Sequence, residues 1–429
     1  MFSVDSIHSM LSEFQPTSGC TFYRLSICID ELALLPWLSC QTSAIKCYWQ
    51  NRDDNVSVAG LGQCHQIFDI NDPTRYPNAK YFGGICFNKQ QELWPNFGSA
   101  RFILPRLELL SENRKCQLVI NLNCRDFSVE HEIAEARAIL DELIYSNHSS
   151  HFLGKFDNHI QHYPPFELWQ EKVDRVEQGF TTQDKIVLHR QSILQSSENI
   201  DAWQLLSSWQ KLEPHHYYFA FQFSHDQVFI GCTPERLFKR NHQLIETEAL
   251  AGTCPRGETV EQETLFSRQL LKDSKLLLEN TLVKEFLLAQ LAEVGADIQL
   301  GSKYVIKLKH VQHIKQQIVA TLISGVTDSQ LLELLHPTPA VNGVPRFKAS
   351  QEILATEENT RGWYAGAIGF ISQYQSDFAV AIRSALIEHR KATLFAGAGI
   401  VKGSCAEQEW QELNDKIACL LSLLIEREH

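Results

Sequence analysis

Nowhere in the 429 residues is there a run of roughly 18–20 apolar residues, so no membrane-spanning helix is expected. CxxC pairs are missing too. The twelve cysteines, from Cys20 to Cys419, are scattered, which removes zinc-ligand spacing and argues against a disulfide framework. Buried free thiols in a reducing compartment are expected instead. The seventeen histidines are equally dispersed, and His131 in VEHEIAEA reads as an ordinary helix residue. Basic residues are in deficit: 39 Lys and Arg against 51 Asp and Glu give a net charge of −12. That balance argues against a nucleic-acid partner, which needs clustered Lys and Arg. The opening MFSVDSIHSMLSEF lacks a basic segment followed by an apolar stretch, so no secretory signal is expected and a cytoplasmic location is read. Long internal repeats and low-complexity linkers are absent as well.

What the chain does have is a large apolar share, 44%, ample for a sizeable core. YFGGICF and QLVINLNCRDF read as strands, and VEHEIAEARAILDELIY as an amphipathic helix. The polar stretch YSNHSSHFLGKFDNHIQHYPP marks a boundary or an exposed loop. Beyond it lie a helix, FELWQEKVDRVEQGF, a strand, DKIVLHRQSIL, and a second helix, IDAWQLLSSWQKL. The short polar turns SHD and KRN join HYYFAFQF, QVFIGCTPERLF and HQLIETEALAG into an expected antiparallel meander. DFAVAIRSALI and KATLFAGAGIV pair around EHRK in the same way. Meanders with helices between them predict an α+β fold rather than alternating βαβ units. Residues 1–160 are expected to build part of the same core as residues 161–429, which carry the candidate site.

That site starts from AEQEWQELNDKIACLLSLL, where Glu409, Glu412 and Lys416 stand at helical i, i+3, i+7 spacing. The spacing stacks two carboxylates and an ammonium on one helix face. A second helical run, LLKDSKLLLENTLVKEFLL, brings Glu279. Hard carboxylates from two helices, beside the small-residue turn of LFAGAGIVKGS, point to a divalent cation and an anionic small molecule. Gly397 and Gly399 imitate the start of a dinucleotide fingerprint. That reading fails because a single helix follows where a βαβ unit is required. Other candidates are ambiguous alone. Lys185 opens a strand, where lysines are usually solvated, and serves as a base only when neutral. Glu235 in GCTPERLF reads equally as a surface partner of Arg236 or Arg240. Ala251, Gly252 and Thr253 in TEALAGTCPRG read as a tight turn suited to a ligand oxygen or as a plain turn. Arg383 interrupts an apolar strand and needs an anion, from the protein or from a ligand.

Taken together, KIVLHR, TPERL, TEALAGT, DSKLLLEN, HPTPAVNG, WYAGAIGF, AIRSA, LFAGAGIV and EWQELNDK closely resemble the chorismate-utilising enzymes, in the family's order. The resemblance spans about residues 165–429, and TEALAGT, VQHI and AGAGIV with EQEWQE look most like the isochorismate synthases of menaquinone biosynthesis. It implies large antiparallel sheets packed as a sandwich with helices outside, a requirement for Mg2+, chorismate as substrate, no obligatory amidotransferase subunit, and a monomer. Carried over, Glu279 and Glu412 match the direct metal ligands, and Glu409 a support acting through water. Leu276 stands where many relatives have a further acid, so the outer shell is thinner here. Lys185 matches the general base and Glu235 the general acid. Gly252, Thr253, Tyr364, Arg383, Gly397, Gly399 and Lys416 match positions that hold the ring and its carboxylates. Ala251, where aminodeoxychorismate synthases carry a nucleophilic lysine, argues against those enzymes. Lys185 argues against the ammonia-using anthranilate type, which stays a remoter alternative behind salicylate synthase and siderophore-pathway isochorismate synthase.

Overall fold

Two antiparallel sheets carry the architecture. The computed structural model describes residues 4–53, 55–72, 75–76, 79–144, 156, 159–181, 184–307 and 311–425. Most of the polar stretch beginning at YSNHSS lies outside these residues. With strands numbered along the chain, the first sheet has twelve. Its spatial order begins β1 (Phe22–Ile29), β8 (Lys115–Asn123), β7 (Leu107–Glu112), β3 (Val56–Leu61) and β2 (Lys46–Gln50). It continues with β11 (Tyr217–Ser224), β12 (Gln227–Thr233), β20 (Ser384–Glu388), β21 (Lys391–Val401), β10 (Lys185–Gln195) and β17 (Gly343–Val344). The short β9 (Gln161–Tyr163) also pairs with β10.

The second sheet has nine strands. They are β15 (Gly295–Lys307), β16 (Val311–Leu322), β14 (Leu244–Pro255), β13 (Arg236–Asn241), β19 (Gln375–Val380), β18 (Ala367–Ile371), β5 (Tyr81–Ile85), β6 (Ala100–Leu104) and β4 (His65–Ile67), in that order. Around the sheets lie helices α1 (Val4–Glu13), α2 (Leu34–Cys40), α3 (Val129–Asp141), α4 (Phe166–Gln178) and α5 (Ala202–Leu212). Also present are α6 (Val260–Leu270), α7 (Ser274–Val294), α8 (Asp328–Leu335), α9 (Arg346–Thr356) and α10 (Ala406–Leu424). This is the α+β arrangement that the strand pattern predicts. Strands β1–β8 are divided between the sheets and pair with later strands, Trp49 opposite Phe219 and Gly83 opposite Gly369. Aromatic side chains fill the interior; Trp363 alone meets Phe97, Phe221 and Phe223.

The expected three-stranded meander is corrected at one point. QVFIGCTPERLF is two strands, β12 in the first sheet and β13 in the second. Pro234 has no amide hydrogen to continue a ladder, so the strand breaks there and the chain changes sheets. DFAVAIRSALI breaks likewise into β19 and β20, at Ala381–Arg383, and Arg383 has a positive φ of 49°. The hairpin around EHRK is therefore β20–β21 alone. The two crossings lie side by side. Val380 N–H donates to the Glu235 carbonyl (3.0 Å), and Cys232 N–H to the Arg383 carbonyl (2.9 Å).

TEALAGTCP does not end in a turn. It continues as β14 to Pro255, with a bulge at Gly252, where φ is +80° and the register jumps between Ala251 and Thr253. All twelve cysteines are free. Cys47, Cys64, Cys86, Cys116 and Cys232 are buried, but Cys20 and Cys28 are exposed, because one precedes and the other lies on the edge strand β1.

Candidate active site

The twelve candidate residues come from eight parts of the fold and line one cavity of about 420 Å³. Helix α7 packs on β14 of the nine-stranded sheet, and α10 on β21 of the twelve-stranded sheet. Asp273 caps α7 by accepting from the Leu276 N–H (2.9 Å). On α10, Leu413, Ile417, Leu420 and Leu424 recur at helical spacing and are buried, which turns Glu412 and Lys416 toward the cavity. Glu407 and Glu409 in its first turn suit the positive helix end.

Lys185 is not a solvated strand end. It is 3% exposed, and its Nζ donates to Glu279 Oε1 at 2.7 Å. Gly399, across the ladder on β21, makes room for it; a Cβ there would lie 2.7 Å from Lys185 Cε. A Cβ at Gly397 would sit 2.8 Å from the Tyr364 hydroxyl. These glycines thus make room for the Lys185 and Tyr364 side chains in the cavity that they line. Gly252 acts on the other wall: its N–H donates to the Glu279 carboxylate, and a Cβ there would approach the Leu276 carbonyl to 2.8 Å. Burial pushes Glu279 up, but Lys185 beside it, Lys416 and the Gly252 N–H together hold the carboxyl below its ordinary range.

Glu235 sits on the first crossing and is buried. It is not a surface partner of its neighbours. Arg236 turns to Tyr217 and Asp53, and Arg240 to Asp328. Burial first, then the negative charge of Glu248, push the Glu235 carboxyl up to about 8. It is therefore protonated at neutral pH, as a proton donor must be. Arg383, on the second crossing, lines the cavity and donates to the Lys416 carbonyl (3.0 Å). No carboxylate among the described residues forms an ion pair with it, which favours a ligand anion. Lys416 Nζ donates to the Gly397 carbonyl (2.8 Å) and to Glu412 Oε1 (2.5 Å). Tyr364 stacks on Phe395, ring centroids 5.1 Å apart, and burial raises its phenol well above the ordinary value.

Glu279, Glu412 and Glu409 offer hard carboxylate oxygens to one cavity, and that donor chemistry fits Mg2+. They do not form a closed cage. Among the described residues no three His, Cys, Asp or Glu side chains converge as a metal-holding cluster. Instead Lys185, Lys416 and Ser404 each occupy one oxygen of Glu279, Glu412 and Glu409.

One cavity residue escaped the residue-by-residue reading. His313 on β16 faces Thr253, its Nδ1 2.9 Å from Oγ1. Burial, then the charges of Arg383 and Lys416, push its pKa down to about 3, so it is a neutral hydrogen-bonding group. The motif VQHI contains it, but its place opposite Thr253 emerges only from the pairing register.

The family described as chorismate binding enzyme matches residues 71–425. Isochorismate synthase MenF of Haemophilus influenzae is 31% identical over 433 residues, covering 99% of this chain and 96% of that protein. Isochorismate synthase MenF of Escherichia coli is 31% identical over 404 residues, covering 92% and 91%. The solved structure of MenF, the menaquinone-specific isochorismate synthase from Escherichia coli, superposes with a TM-score of 0.90 at 29% identity over 98% of both chains. Anthranilate synthase component I of Streptococcus pneumoniae shares the fold, with a TM-score of 0.71 at 18% identity over 95% of this chain and 94% of that one. By the family model and its full-length relatives, this chain belongs to the chorismate-binding enzymes.

Proposed function

We propose that this protein is an isochorismate synthase, converting chorismate to isochorismate for menaquinone biosynthesis. The observation that carries the reading is the protonated carboxyl of Glu235 sharing one cavity with the amine of Lys185. Isomerisation needs water to attack C2 while the C4 hydroxyl departs, so one group takes a proton and another gives one. Lys185 is the group placed to take the proton from water. Glu235 delivers its proton to the departing oxygen. Arg383 and Lys416 hold the carboxylates, Arg383 through its planar fork. Tyr364, Thr253 and the neutral His313 fix the ring by hydrogen bonding. Glu279 and Glu412, with Glu409 supporting, would hold Mg2+, which when bound neutralises and orients the ring carboxylate.

Incubation with chorismate and Mg2+, followed by chromatography of isochorismate and salicylate, tests the reading. Isochorismate is the expected product, formed without ammonia or a partner subunit; salicylate as the main product would overturn the assignment. Lys185→Ala and Glu235→Gln should each lower kcat by about 10²–10⁴-fold. Near-normal turnover by either variant removes its residue from the mechanism.

A further inference from the structure

The peptide joining Pro234 to Glu235 is pinned at both of its polar atoms. Its N–H, from Glu235, donates to Thr233 Oγ1 (3.3 Å). Its carbonyl, from Pro234, accepts from Arg52 Nη1 (2.9 Å). Arg52 lies in the turn after β2, far from Glu235 in sequence. The same guanidinium grips both oxygens of Glu248 on β14. Glu248 is 4% exposed and also pairs with Lys315 Nζ at 2.8 Å. A peptide unit is a rigid plane. With the Glu235 carbonyl also held, by the Val380 N–H (3.0 Å), the peptides on both sides of the Glu235 Cα are restrained and so is the direction in which its side chain leaves the backbone.

We propose that Arg52 is a positioning residue for the Glu235 carboxyl, acting through the Pro234 carbonyl and through Glu248, the fixed negative charge behind it. The proposal rests on the reading of Glu235 as general acid. Charged groups face Glu235 from every neighbouring element: Glu248 on β14, Lys185 on β10, Glu279 on α7 and Lys416 on α10. Arg383 on the adjoining crossing lines the same cavity. Of these, Glu248 is the one that Arg52 holds. The fork is essential to the geometry, because three acceptors on two elements are reached by one planar group, which an ammonium cannot imitate.

Three variants separate the possibilities. Arg52→Lys keeps the charge and loses the fork; kcat should fall about tenfold with KM for chorismate within about twofold and little change in Tm. Glu248→Gln removes the charge, so the alkaline limb of kcat/KM should move to lower pH. Arg52→Lys that turns over like the parent overturns the proposal, as does a parallel loss of kcat, KM and Tm, the mark of a merely structural role. Should Glu248→Gln fail to fold, the Arg52→Lys result decides. Glu235→Gln is the separate control. If it retains kcat, the acid reading fails whatever Arg52 does; if it is inactive while Arg52→Lys is unaffected, only the positioning role fails.

Discussion

Burying a carboxyl costs stability wherever solution pH would ionise it, and Glu235 carries that cost. Its folded pKa, about 8, lies above the ordinary value of 4.5. Below 4.5 the group is neutral in both the folded and unfolded chain and makes no difference. Between 4.5 and 8 the unfolded chain releases a proton that the folded chain retains, so stability falls as pH rises, and above 8 the penalty is complete. Glutamine never ionises. Glu235→Gln should therefore unfold at a higher temperature than the parent above pH 8, with the gain vanishing below pH 4.5, in thermal scans across that range. In the parent, kcat/KM should decline as pH rises through about 8, because the proton donor is lost. Gly399 makes the complementary case. A Cβ there would press on the flexible end of Lys185, 2.7 Å from Cε. Gly399→Ala should lower kcat by at least about tenfold while Tm moves little, since a side chain rather than backbone gives way.

At the scale of elements, β14 and α7 act as a pair. The Gly252 bulge has φ +80° and sits against the first turn of α7. Gly252→Ala should cost about 1–3 kcal/mol of unfolding free energy, read by denaturant titration, because alanine disfavours that φ and its methyl meets the Leu276 carbonyl. The elements themselves were largely legible. FELWQEKVDRVEQGF is α4, and LLKDSKLLLENTLVKEFLL carries α7, although the helix begins only at Ser274, after its cap Asp273. The crossings were not. QVFIGCTPERLF has an apolar stretch on either side of Pro234 and Glu235, and an apolar stretch discloses burial but not which sheet receives it. Pro234 and Arg383 signalled interruptions without saying that both breaks occur at the same place. The role of Arg52 was invisible for a similar reason: its partners, Pro234 and Glu248, lie far along the chain, where no periodicity can reach. The cavity-facing side of α10 could be read because i, i+3, i+7 spacing is a local rule.

For the molecule as a whole, the two sheets are joined by polar contacts as well as by apolar packing. Tyr217 on β11 is fully buried; its hydroxyl accepts from Arg236 Nε (2.6 Å) and donates to Asp377 (3.0 Å), both across in the second sheet. Tyr217→Phe leaves those groups short of a partner and should lower unfolding free energy by about 1–3 kcal/mol, measured in urea. Contacts between distant segments are the rule, since β2 pairs with β11 and β5 with β18. The paired crossings set a further constraint. Each sheet owns only half of the strands that present Glu235 and Arg383. Recombination between relatives could not transplant either layer as a cassette, because a hybrid would hold Glu235 and Arg383 between scaffolds that never evolved to meet.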